Sequence, residues 1–242
     1  MATGGTLDGK LVVLIGGSGF FGTHIAQALL ARGVRLRVAS RHPEKAFRLK
    51  PLGNLGQIQF ARCDVTKPET VKAVMAGADA AVYLVGAFAG DLAVLQADGP
   101  GLAARAAKEA GAESFVLISA IGAGAGSDAA YARTKAEGEK AALAAFPKAT
   151  ILRPSVLFGE DDNFINLFAG LVAALPVMPV FGADAKLQPL LVDDAAEAVA
   201  NVLADPGRHG GKTYEIAGLE PLTMGRIIRM IAEAQGRKRA FL

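Results

Sequence analysis

The chain of 242 residues has no tryptophan, only three tyrosines and a single cysteine, Cys63. One thiol excludes a disulfide framework and a cysteine-based metal centre. The three histidines, His24, His42 and His209, lie too far apart to carry a ligand spacing, so no metal is expected. Charge is also scarce, at 20% of residues with a net +3. No long Lys/Arg run or aromatic–basic interleaving occurs, which argues against nucleic acid; Arg237-Lys238-Arg239 reads as a solvated end. Residues 1–10 lack the basic-then-apolar layout of a secretory leader and read as a disordered lead-in. The uncharged stretch 167–183 approaches membrane-spanning length, but Gly170, Pro176, Pro179 and Gly182 interrupt it. No transmembrane segment is therefore expected, and the expected location is cytoplasmic.

What the chain does have is apolar residues, 52% of the total, and 29 glycines. Short β-rich runs alternate with longer Ala/Leu-rich stretches, the pattern of right-handed βαβ units around a buried parallel sheet. Strands are predicted at 10–15, 34–40, 57–62, 80–85, 115–119 and 149–152. Helices are predicted at 20–32, closed by Gly33, at 68–76, from Pro100 to 110 with Asp98 as N-cap, and at 129–145. Beyond Pro154 the rhythm loosens: helix 161–175, strand 187–192, helix 193–204, strand 213–217 and helix 222–235. On the 161–175 helix, Phe164, Phe168, Leu171 and Leu175 form an apolar face, while Ile165, Leu167 and Val172 point elsewhere. The fold class is α/β, a doubly wound parallel sheet with a small C-terminal lobe that looks curtailed.

The motif that carries chemistry is Gly16-Gly17-Ser18-Gly19-Phe20-Phe21-Gly22. It follows the first apolar strand and opens the first helix, the context that turns a glycine triplet into a dinucleotide-binding loop. Gly16 permits the tight turn and Gly19 lets backbone amides approach a pyrophosphate at the helix N-terminus. Gly22 lets helix and strand pack closely. Residues 1–155 are thus expected to be a Rossmann domain binding NAD(P), and 156–242 a smaller substrate or partner lobe. The second strand ends Ser40-Arg41-His42 with no carboxylate before Glu44, and Arg35, Arg37, Lys45 and Arg48 crowd the segment. An acid there would reject a 2′-phosphate, and a guanidinium suits one, so NADP(H) is favoured over NAD(H). Arg35 and Arg37 are read as coating a surface strand.

These residues resemble the short-chain dehydrogenase/reductase superfamily, in the extended and atypical branches that include the NAD-dependent epimerases/dehydratases. The match is carried by 15–22, Cys63-Asp64-Val65, Tyr83-Leu84-Val85-Gly86-Ala87, Ser119, Tyr131-Ala132-Arg133-Thr134-Lys135 and Arg153-Pro154-Ser155. Within that branch, 131–140 and 152–159 look most like the nucleotide-binding accessory subunit of respiratory complex I and its bacterial relatives. The resemblance implies that Asp64 and Val65 meet the adenine, and that Val85, Gly86 and Ala87 lie on the ribose and nicotinamide side. It assigns Pro154, Ser155 and Val156 to the carboxamide. Tyr131 and Lys135, four apart on a helix, share one face, and an ammonium beside a phenol favours the phenolate. Ser119 would orient a substrate oxygen.

Two readings follow. One is an NADP(H)-dependent oxidoreductase or epimerase-type enzyme in which Tyr131 is the general acid/base, tuned by Lys135. Its small-molecule substrate could be lipophilic and quinone-like. The other is a non-catalytic NADPH-binding subunit or partner of a quinone-linked respiratory or biosynthetic assembly, peripheral at the inner membrane. The small-residue linker 120–130 offers few side chains to shape a substrate and favours the second.

Overall fold

The computed structural model describes residues 7–242. Part of the expected lead-in, residues 1–6, lies outside the described residues. The rest of that stretch is not loose: Leu7 is buried in the core, and Gly9 donates to the Gly33 carbonyl at 3.0 Å.

The first part of the chain alternates strands and helices: β1 (Leu11–Ile15), α1 (Phe20–Leu30), β2 (Arg35–Ser40), β3 (Ile58–Arg62), α2 (Pro68–Met75), β4 (Ala80–Tyr83), α3 (Gly99–Glu109), β5 (Ser114–Ile118), α4 (Ala130–Ala145) and β6 (Thr150–Pro154). It then passes through β7 (Leu157–Phe158), α5 (Ile165–Ala174), β8 (Val177–Met178), β9 (Lys186–Leu187) and β10 (Leu190–Leu191). Next come α6 (Val192–Ala204), α7 (Pro206–His209), β11 (Thr213–Ile216), β12 (Leu222–Thr223), α8 (Met224–Ala234) and β13 (Ala240–Phe241).

Two compact units result. The larger comprises the chain up to Pro154 together with Asp193–Glu215; the smaller is Ser155–Val192 with Ile216–Leu242. The larger holds a seven-stranded parallel sheet in the order β11-β6-β5-β4-β1-β2-β3. Its central strands β1 and β4 are apolar at every position because both faces are covered. Val12 and Leu14 point into a core shared with α1 and α6, whereas Val13 and Ile15 point into one shared with α2 and α3. The same alternation splits Val82 from Tyr83 and Val116 from Phe115. Strand order reverses between β1 and β4, and in such sheets a crevice opens there beyond the carboxyl ends of the strands.

The smaller unit has three two-stranded pairings, β10-β7, β12-β9 and β13-β8, and its own core around Val172, Met178, Met224, Ile228 and Ala232. Four expectations are corrected. The single strand predicted at 187–192 is two short strands, because Gln188-Pro189 interrupts the ladder. Helix α5 begins at Ile165, not 161, because the buried Asp162 carboxylate accepts from the N–H groups of Phe164 (2.7 Å) and Ile165 (2.6 Å). On that helix Val172 is buried, and Leu171 is among the exposed residues. Helix α3 does not start at Pro100 under an Asp98 cap. A π-helical turn, Ala93–Asp98, runs straight into it, and the Asp98 side chain caps nothing.

Candidate functional site

The crevice at the strand-order reversal is a cavity of about 330 Å³. Its walls come from the ends of β1 (Ile15, Gly16, Ser18, Gly19), β2 (Ala39, Ser40, Arg41, His42, Lys45), β3 (Cys63, Val65) and β4 (Leu84, Val85, Gly86, Ala87).

The glycine loop is a cradle that side chains would fill. Gly16 has φ +84, and a Cβ on it would lie 3.1 Å from the Val85 backbone nitrogen. A Cβ on Gly22 would meet the Gly17 backbone at 2.6 Å, so the close approach here is helix to loop, not helix to strand. The first-turn amides of α1, at Phe20, Phe21 and Gly22, have no partner inside the helix and are positioned for an anion. The Phe20 ring packs edge-on against His24, and Phe21 packs against the core, so these two serve the site through their backbone.

At the end of β2, the Ser40 hydroxyl is buried without a hydrogen-bond partner among the described residues, and Arg41 is exposed at the cavity rim. Arg35 and Arg37 are committed elsewhere. Arg35 donates to the Gly9 carbonyl at 2.9 Å, and Arg37 holds the last carbonyls of α2, Val74 at 2.7 Å and Ala76 at 2.8 Å. After β3, Asp64 does not line the cavity, although its neighbours Cys63 and Val65 do. Its carboxylate accepts from the Thr66 hydroxyl and amide, which hold it below the usual aspartate range. Burial pushes the Cys63 thiol up to about 11, leaving it inert. An orphaned hydroxyl, a glycine cradle and unpaired helix amides together fit a dinucleotide phosphate and ribose.

Lys135 is buried, with Nζ donating to the Ile118 carbonyl at 3.2 Å. That ammonium lies against Gly86, where an added Cβ would sit 3.5 Å from it. Burial lowers its pKa to about 8, and Glu139 one turn along opposes the fall. Glu139 itself is held by Arg153, through Nε at 2.9 Å and Nη2 at 2.7 Å. The expected fall in the Tyr131 pKa does not occur. Burial raises the Tyr131 phenol, and the ammonium is 5.8 Å from its ring centroid. One neighbour that the spacing does not reveal is Phe88, whose largely exposed ring stacks on Tyr131 with centroids 4.8 Å apart and 18° from parallel. Ser119 is 3% exposed and its hydroxyl also lacks a partner among the described residues. Pro154 ends β6 and accepts from the Ile121 amide at 3.2 Å. Ser155 and Val156 belong to the smaller unit, where Ser155 donates to the Ile216 carbonyl at 2.9 Å and Val156 accepts from Leu190.

Burying an ammonium is costly, and here the cost has a visible sign. A fall in pKa from 10.5 to about 8 corresponds to roughly 3 kcal/mol against the charged form. Below pH 8 folded and unfolded chains both hold the proton, so the penalty is full. Between pH 8 and 10.5 only the unfolded chain keeps it, so stability rises with pH through that window. Lys135→Met is therefore expected to stabilise the ligand-free protein at pH 7 by about 1–2 kcal/mol, after allowing for the lost bond to Ile118. The gain should shrink as pH approaches 10.5. Urea unfolding at pH 7, 9 and 10 measures it; a less stable variant at pH 7 would mean that the ammonium is not under strain.

A family profile described as NAD(P)H-binding matches residues 16–168. A second, described as the RmlD substrate binding domain, matches residues 126–240. The chain is 31% identical over 233 residues to "NADH dehydrogenase [ubiquinone] 1 alpha subcomplex subunit 9, mitochondrial" of Dictyostelium discoideum, covering 93% of this chain and 64% of that protein. It is 33% identical over 192 residues to a "Ceramide reductase" of Caulobacter vibrioides, covering 77% of this chain and 58% of that one. The chain thus spans less than two thirds of the length of these curated relatives. A dTDP-glucose 4,6-dehydratase double mutant from Streptomyces venezuelae with NAD and DAU bound superimposes with a TM-score of 0.81 at 18% identity, covering 96% of this chain and 84% of that one. That likeness shows a shared fold.

Proposed function

Since the chain belongs to the NAD(P)H-binding family, with an epimerase/dehydratase-like Rossmann fold, we infer that it is an NADPH-dependent reductase of a carbonyl group. The observation that carries this reading is Lys135, an ammonium kept in a buried position against cavity residue Gly86 at an energetic cost. No packing need explains a lysine there, whereas a nicotinamide ribose would use it.

When bound, the reduced nicotinamide supplies a hydride. The protein's part is to hold the carbonyl and deliver a proton. A phenol raised by burial stays protonated at neutral pH, which makes Tyr131 an acid in the reductive direction. The unpaired Ser119 hydroxyl is the donor that would fix the substrate oxygen. Val85, Gly86 and Ala87 would flank ribose and nicotinamide, Val65 the adenine, and Pro154 the carboxamide. A lipophilic substrate agrees with the ceramide reductase relative.

The choice of NADP(H) rests on Ser40, Arg41, His42 and Lys45, which line the β2 end with no carboxylate among them. Arg41→Asp is expected to reverse the preference between NADPH and NADH, read by calorimetry on parent and variant. Equal affinities in the parent protein would refute the assignment.

A second reading, an NADPH-binding accessory subunit docked on a quinone-linked inner-membrane complex, is favoured by one observation. The Phe88 ring stacks on Tyr131 and occupies one face of the ring that would meet a substrate. The relative named as an alpha subcomplex subunit points the same way. Among the described residues no helix is long and apolar enough to cross a membrane. Hydride transfer to panels of long-chain ketones and quinones separates the two readings. NADPH binding with no oxidation on any acceptor favours the subunit.

A further inference from the structure

We propose that the Tyr83 hydroxyl and Gln96 form a positioning device that holds the Gly86–Ala87 wall of the dinucleotide site. The proposal rests on the NAD(P)H-binding assignment alone and needs no turnover.

Tyr83 ends β4 with no exposed surface, and its hydroxyl donates to the Leu95 carbonyl at 2.6 Å. In an α-helix that carbonyl would accept from the amide of Gly99, four residues on. With Tyr83 occupying it, the Gly99 amide bonds instead to Val94, five residues back, and the turn Ala93–Asp98 becomes π-helical. Two glycines and a proline make this possible. A Cβ on Gly99 would overlap the Tyr83 hydroxyl, and Pro100 has no N–H to pull Gln96 into an α-helical bond. The Gln96 carbonyl left over lies against Gly138 of α4, where a Cβ would overlap it.

The changed register decides where Gln96 points. A π-turn holds one residue more than an α-turn, and one residue is about 100° of rotation. In this register the Gln96 side chain is 1% exposed, and its amide Nε2 donates to the carbonyl of Ala87. Ala87 and Gly86 line the cavity, and Gly86 is the residue against which the Lys135 ammonium lies. The other half of the Gln96 amide, Oε1, is buried with no partner among the described residues. A glutamine kept for packing would be better replaced by methionine, which fills similar volume without an unpaired oxygen. What the amide contributes is its grip on Ala87.

The test uses Gln96→Met, Gln96→Asn and Tyr83→Phe in the full chain. Gln96→Met keeps the volume and loses the bond; Gln96→Asn keeps an amide one methylene too short to reach Ala87. Tyr83→Phe frees the Leu95 carbonyl for Gly99 and rotates Gln96 away. Each is expected to weaken NADPH binding about three- to tenfold and to speed amide exchange at residues 86–90, while Gln96→Met melts no lower than the parent. The Tyr83→Phe/Gln96→Met double variant should bind as the worse single one does, because both act through one contact. Additive losses, or parent-like binding and exchange in Gln96→Met, would overturn the proposal. If the protein proves to be a non-catalytic subunit, these readouts are unaffected.

Discussion

Tyr131→Phe is expected to lower carbonyl reduction by two to four orders of magnitude, roughly the span of general acid–base catalysis, with NADPH affinity almost unchanged. The substitution removes one oxygen and keeps the ring that stacks on Phe88. The stacking is therefore retained, and only the transferable proton is lost. Lys135→Ala should behave differently, weakening both turnover and NADPH binding, because its ammonium faces Gly86 at the cavity wall. The pH dependence follows from its pKa of about 8 in the ligand-free protein. Below that value the group is charged, so affinity should be highest there and fall as pH rises through it. Calorimetric titrations at pH 6.5, 8 and 9.5 read this directly, and a flat profile would remove Lys135 from the site. An active Tyr131→Phe variant would remove Tyr131 from the chemistry.

How far the sequence could be read depended on the range of the forces involved. Strands β1, β4 and β5 are legible because a sheet buried on both faces demands apolar residues at consecutive positions, and Val12-Val13-Leu14-Ile15 supplies them. The glycine loop is legible because turn geometry and amide exposure are local. The π-turn at Ala93–Asp98 is not, since it exists only because a hydroxyl from Tyr83, on another element, takes the Leu95 carbonyl. The Tyr131 environment fails for the same reason: spacing puts Lys135 on its helix face, but the burial that raises the phenol is set by contacts between elements, the Phe88 ring from the loop after β4 among its neighbours. The two-residue strands β7, β8 and β13 have no periodicity to detect. Ser119 and Ser40 were picked out by strand-end position, but that their hydroxyls are buried and unpaired is visible only in three dimensions.

The glycine loop allows binding to be separated from folding by two substitutions three residues apart. A Cβ on Gly22 would fall 2.6 Å from the Gly17 Cα and 2.7 Å from its carbonyl carbon and oxygen, all backbone atoms that cannot rotate aside. Gly17 is itself closely packed, since a Cβ on it would lie 2.7 Å from the Leu14 side chain. Gly22→Ala must therefore displace the loop, costing about 1–3 kcal/mol of stability as overpacking does and moving the amides that would meet a pyrophosphate. Gly19 is different. Its φ of −81 suits any residue, and a Cβ there meets only the Gly16 carbonyl oxygen at 3.7 Å. Gly19→Ala should leave the ligand-free melting temperature near that of the parent. Yet the methyl group would occupy the approach to the helix N-terminus, so dinucleotide affinity should drop by roughly two orders of magnitude or more, the scale of losing several charge-assisted hydrogen bonds. Melting curves with and without 1 mM NADPH (about the concentration needed to saturate a micromolar site) distinguish the outcomes. Gly22→Ala should start lower and show no ligand shift, and Gly19→Ala should start level and show none. A full NADPH shift in Gly19→Ala would mean that the phosphates do not come against this loop.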